Sequence, residues 1–204
     1  MTLTDGAWRG RRAFVIGGGP SLRGFDFRRL DGELWIGCNM AFLERPTIAL
    51  SICHRFMRDV ARDNAEWASC PSLRLFLDPP KDVARVPHER IGNCGDTWGR
   101  TLAGGLCQGP LTGLVAANLA DVIGASPIYL LGMDCRVSES DGKANYHDAY
   151  PWNADGKVRP KERRYLAARN AWARYAPEIR GRVVLLGDSA LECFERGRLE
   201  DVLP

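Results

Sequence analysis

Short apolar runs alternate with amphipathic stretches along the chain. Residues 12–16, 34–37, 47–52, 73–77, 127–131 and 182–186 have the length and the β-branched or aromatic content of buried strands. Between them, apolar spacing near the helical period predicts helices over residues 25–30, 54–67, 111–123, 161–175 and 190–196. Strands alternating with helices are the mark of βα units on a parallel sheet. The fold class predicted is therefore α/β, with one doubly wound, mostly parallel sheet spanning residues 1–204. Ligands of such sheets sit at the carboxyl ends of the strands. Two segments break the pattern. Residues 78–110 are rich in proline and glycine, and residues 132–159 are polar and turn-rich. Both follow strands that should end at the ligand edge, so both are expected to be lids or irregular insertions.

Composition narrows the class without changing it. With 204 residues, against a working domain size of roughly 150, one domain is expected. A hydrophobic fraction of 45% and a charged fraction of 26% belong to a globular chain rather than a disordered or fibrous one. No apolar stretch approaches the roughly 20 residues of a membrane-spanning helix, and the first ten residues lack the apolar core of a secretory signal. A cytoplasmic protein is the expectation. Seven scattered cysteines without a C-x-x-C pair argue against a disulfide framework and a zinc knuckle alike. The net charge of +3 does not imply nucleic acid, although four lysines among 28 basic residues leave 24 arginines, the better fork for phosphate.

The strongest local signal is Ala13-Phe14-Val15-Ile16 running into Gly17-Gly18-Gly19-Pro20-Ser21-Leu22. A glycine turn after a buried strand lets backbone N–H groups converge on an anion, and Ser21 can cap the next turn or touch phosphate. Such a turn could open a Rossmann fingerprint. It is not a dinucleotide fingerprint, because Leu22 stands where the third glycine would be and Asn39 stands where the ribose-binding acid is expected, about 20 residues on. The Walker lysine is missing as well.

Four collinear blocks carry a resemblance: the glycine turn with residues 25–30, then Ile36-Gly37-Cys38-Asn39, then Leu111-Thr112-Gly113, then Ile128-Tyr129-Leu130-Leu131-Gly132-Met133-Asp134. Together they resemble the bacterial CMP-sialic-acid-dependent sialyltransferases of glycosyltransferase family 42. They are also similar to the group of domains of unknown function 115, which includes pterin pyrophosphokinase-like proteins. A weaker echo lies at Asp188-Ser189-Ala190-Leu191. The resemblance implies one Rossmann-like domain and an inverting, metal-independent transfer from a CMP-type nucleotide sugar to an acceptor hydroxyl, with no bound cofactor. It places phosphate and ribose at Gly17, Gly18, Gly19, Pro20 and Ser21, with Asn39, Thr112 and Gly113 completing the nucleotide site. It assigns the general base to His147 and leaving-phosphate contacts to Tyr146 and Tyr150. Asp134 or Asp148 would orient the imidazole. Three positions depart from the family: Gly18 replaces a polar residue, Leu111 replaces a threonine, and Gly109-Pro110 stands in place of an arginine.

A histidine suits the base role because its ordinary pKa lies near 6.5. Of the other two, His54 opens a predicted helix and His88 follows a proline, so each reads as capping or exposed. A pyrophosphokinase-like enzyme needs acidic residues to hold Mg²⁺ against a triphosphate, and no second acidic cluster is evident. A non-catalytic nucleotide binder is the remaining alternative. Residues 159–174 are the most basic stretch, but Tyr165, Ala168, Trp172 and Tyr175 recur at helical spacing and form a core-facing stripe. A solvated arginine face is favoured there over a cationic wall for a phosphorylated or polymeric acceptor, which could include DNA.

Overall fold

The computed structural model describes residues 3–153 and 162–203. Eight strands form one sheet: β1 (Ala13–Ile16), β2 (Trp35–Cys38), β3 (Ile48–Ser51), β4 (Leu73–Leu77), β5 (Glu89–Ile91), β6 (Ile128–Leu131), β7 (Val183–Leu186) and β8 (Glu195–Gly197). Their order is β5-β4-β3-β2-β1-β6-β7-β8, and every pairing is parallel. The chain winds outward from β1 to β5, crosses back, and continues from β6 to β8. The strand order therefore reverses between β1 and β6, which opens a crevice at their carboxyl ends.

Side-chain alternation along the strands divides the core. Val15, Ile36, Ile48, Leu50, Leu75, Leu130 and Leu185 face α3 (Thr112–Val122), which is buried along its whole length. Its sequence is apolar almost all round, as a helix covered on every side requires. Phe14, Ile16, Leu131 and Val184 point to the other face, against residues around Leu22 and Leu30. Phe76 and Ala49 meet α1 (His54–Phe56) and α2 (Ala65–Ser69) there.

Four expectations need correction. The helix predicted over residues 54–67 is α1, a π-helical turn at Met57–Ala61, and then α2, because the Asn64 side chain accepts from Trp67 N at 2.9 Å and starts a new helix. Residues 25–30 hold only a 3-10 turn, Phe27–Leu30, capped by Asp26. Residues 190–196 are not helical. They lead into β8, whose Glu195, Arg196 and Gly197 pair with Val184, Leu185 and Leu186. Residues 78–110 include a strand that the apolar pattern does not predict, β5; part of the stretch after it bonds to α3, while Gly109 and Pro110 reach the ligand edge. Asn118 accepts from Gly99 N and Cys107 N, and Asp121 accepts from Trp98 Nε1 at 3.0 Å. The helix α4 (Glu162–Tyr175) buries Ala168, Trp172 and Tyr175, the stripe expected of it.

Candidate functional site

The crevice between β1 and β6 is built on close backbone approach. Gly17 N donates to Leu131 O and Gly19 N to Gly132 O, each at 2.8 Å. A Cβ on Gly17 would lie 2.3 Å from Gly132 O, and one on Gly19 would lie 2.0 Å from Asp134 Oδ1. At Gly19 the backbone is ordinary, with φ −64°, so the need for glycine there is purely steric. Gly18 N–H has no partner among the described residues, while Gly18 O accepts from Tyr146 N at 3.0 Å. Asp134 stands behind this turn at 4% exposure. Its carboxylate accepts from Ser21 N at 2.8 Å and from Ser21 Oγ at 2.6 Å. Burial raises the Asp134 pKa, and the Ser21 bonds pull it back down.

Asn39 closes the second side. It follows β2 in the left-handed region, with φ 52°. Its Oδ1 accepts from Ser51 Oγ at 2.7 Å and Thr112 Oγ1 at 3.3 Å, while Ser51 Oγ itself accepts from Cys53 N at 3.1 Å. The Asn39 oxygen is thus shared by two hydroxyls, and its side chain also hydrogen-bonds Tyr150. Beside it α3 begins, and Leu111 at its N-cap supplies no side-chain bond. The first turn of a helix left uncapped presents N–H groups and the positive end of the dipole.

These elements enclose a cleft of about 590 Å³. Gly17, Gly18, Gly19, Asn39, Thr112, Gly113 and Asp134 line it on one side, and Asn145, Tyr150 and Trp152 on the other. Three arginines not nominated as site residues also line it: Arg55, Arg136 and Arg164, the last from the basic stretch 159–174. Arg55 lies 4.3 Å over the Trp152 ring, and Trp152 stacks on Tyr150 at 4.5 Å. Arg136 pairs with Asp188 and Glu139. Arg164 pairs with no carboxylate among the described residues. Arg55 and Arg136 follow the carboxyl ends of β3 and β6, so the edge rule for parallel sheets was the signal that could have found them.

Of the other nominated residues, Pro20, Ser21, Tyr146 and His147 do not line the cleft. Pro20 is buried and Ser21 points to Asp134. Tyr146 packs its ring 5.6 Å from Phe27, and its hydroxyl pKa is raised by burial. Burial likewise keeps the Tyr150 hydroxyl protonated. His147 lies between Tyr146 at 4.8 Å and Tyr150 at 4.7 Å, and its Nδ1 accepts from Ala149 N at 3.2 Å. Burial pushes its pKa down to about 4, against a small upward pull from Asp148. Neither carboxylate orients the imidazole as expected: Asp148 is exposed and holds Lys143 at 2.8 Å, and Asp134 is engaged by Ser21. His54 bonds Asp78 O at 3.2 Å and His88 stacks on Phe76 at 4.6 Å. All seven cysteines are free thiols. Among the described residues no group of three His, Cys, Asp or Glu side chains could hold a metal ion, and no helix is long and apolar enough to cross a membrane.

Comparison with known proteins gives a fold neighbour. The chain is similar to a MAf glycosyltransferase from Magnetospirillum magneticum AMB-1, with a TM-score of 0.62 and 14% sequence identity over 99% of this chain. It spans 36% of that protein's length. No protein-family model and no curated protein matches the chain, so the resemblance to family 42 rests on the four sequence blocks alone. The shared feature is the fold.

Proposed function

We propose that this chain forms the nucleotide-sugar site of a glycosyltransferase, with a cytidine monophosphate-type donor and an acceptor hydroxyl as co-substrate. The observation that carries the reading is the donor set around the β1–β6 crevice: the open Gly18 N–H and the uncapped start of α3 offer protons to one anionic ligand, with Asn39 lining the same cleft beside Tyr150. The arginines on the rim add positive charge, and the glycosyltransferase name of the fold neighbour agrees in class. In this reading a glycan hydroxyl enters beside Tyr150 and Trp152, the nucleotide phosphate leaves against backbone N–H groups, and no metal is needed.

His147 serves as base only if its loop turns the ring from between the two tyrosines into the cleft. Its place outside the cleft favours a second reading, a nucleotide-binding protein without catalysis. Thermal unfolding with CMP, UMP, GMP and their sugar conjugates, with and without chelator, tests the pocket, since a ligand at 100 times its Kd adds about 2.7 kcal/mol. CMP stabilisation that survives the chelator is expected. A transfer assay then separates the readings. His147→Ala should leave CMP affinity near wild type and slow transfer by about 10²–10⁴ if the base assignment holds. Binding with no transfer to any acceptor would favour the binder.

A further inference from the structure

Asp134 sits where a catalytic carboxylate would, yet its bonds describe different work. Both oxygens face Ser21, one taking the backbone N–H and the other the hydroxyl. Gly19 lacks the Cβ that would occupy the same space as Oδ1. The Asp134 carbonyl accepts from Ala190 N at 2.8 Å, and Ser189 Oγ donates to Met133 O at 2.6 Å, so the segment after β7 is stitched to the end of β6. The Asp134 side chain thus joins the loops that follow β1 and β6, and the Asp134 and Met133 carbonyls hold the segment after β7 to them.

We propose that Asp134 is a positioning residue, which holds the Gly17–Gly18–Gly19 backbone in its anion-facing shape through Ser21 and takes no proton from the acceptor. This rests on the nucleotide reading above for its functional consequence, but the tether itself can be measured without ligand.

The chemistry of an amide makes the test sharp. In Asp134→Asn the remaining oxygen can accept from Ser21 N–H, while the NH₂ donates to Ser21 Oγ, whose hydroxyl can turn from donor to acceptor. Positioning survives that change, whereas a base would be lost. Hydrogen exchange over residues 17–22 of the ligand-free chain and CMP binding by titration are the two readouts. Asp134→Asn should keep slow exchange and a CMP Kd within about threefold of wild type, and it should retain transfer activity. Asp134→Ala and Gly19→Ala should each speed exchange and weaken CMP by roughly tenfold or more, the size of a lost bond to a charged group. The double variant should lose less than the sum of the two singles, because both disturb the Asp134 contact, while the approach to Gly132 O at 2.7 Å is felt by Gly19→Ala alone. Ser21→Ala, which removes only the hydroxyl bond, covers the case in which Asp134→Ala does not fold, and should also speed exchange over residues 17–22. Additive losses, unchanged exchange in Ser21→Ala, or loss of transfer in a folded Asp134→Asn would overturn the assignment. A wild-type chain that binds no nucleotide refutes the pocket, while the exchange data still decide the tether.

Discussion

At the scale of single residues, Asn39 and His147 show how neighbours set what a side chain can do. Two hydroxyls hold the Asn39 oxygen and Tyr150 is a further hydrogen-bond partner of its side chain, so on the proposed reading its NH₂ meets ligand beside Tyr150. Asn39→Asp keeps the inward acceptor but puts negative charge toward the phosphate. It should weaken CMP more than Asn39→Ala, whose loss should be on the order of 1–3 kcal/mol. Calorimetric titration of the two variants gives the ranking, and equal affinities would show that the amide does not face the nucleotide. For His147 the consequence is a pH dependence. Unfolded, the ring takes a proton near its ordinary pKa of 6.5, and folded it does so only near 4. Between those values the unfolded chain binds more protons, so stability is full above about 6.5 and falls as the pH drops toward 4. His147→Phe keeps a ring between the tyrosines and should flatten that part of the curve in thermal melts across the range.

At the scale of elements, α3 is the organiser of the segment that follows β5. Its buried Asp121 accepts from Arg180 N at 2.9 Å and Gly181 N at 3.0 Å as well as from Trp98, tying that segment to the approach to β7. Asp121→Ala would leave four donors without their acceptor, the Arg180 and Gly181 backbone N–H groups, Trp98 Nε1 and Arg180 Nε. At about 1–3 kcal/mol for each group that stays buried, it should rank among the most destabilising changes in the chain, as measured by urea unfolding. Asn64→Ala, which removes only the cap on α2, should cost about 1 kcal/mol. The two outer strands are three-residue edges bearing Glu89 and Arg90 on β5 and Glu195 and Arg196 on β8. Short charged edges resist pairing with another sheet.

At the scale of the whole molecule, the reversal of strand order brings donors from β1, β2 and α3 to one crevice and surrounds it with arginines. Charge on that rim acts through solvent, where screening shortens its reach from about 30 Å at 0.01 M salt to about 3 Å at 1 M. CMP affinity should therefore fall as salt rises. Arg164→Ala should shallow that dependence without changing the unfolding midpoint, because Arg164 makes no ion pair among the described residues. A salt dependence identical to wild type would remove Arg164 from the site.

The sequence by itself determined the central sheet and the class of the fold. Strands β1 to β4, β6 and β7 are short, mostly apolar runs buried on both faces of the sheet, and such a run is local, so it is legible in a stretch such as Ala13-Phe14-Val15-Ile16. The all-round apolar character of α3 and the glycine turn after β1 are local in the same sense. Tertiary structure decided what depends on partners far along the chain. Glu195-Arg196-Gly197 has no strand pattern and becomes a strand only by pairing with β7. Residues 54–67 look like one helix until the Asn64 cap divides them. Asp134 and Ser21 lie 113 positions apart, so their bond is invisible to any reading of spacing, as is the gathering of Arg55, Arg136 and Arg164 on one rim. His147 had the right chemistry at a plausible place in the sequence. Where its ring points was set by packing between Tyr146 and Tyr150, a balance of contacts that residue type alone does not encode.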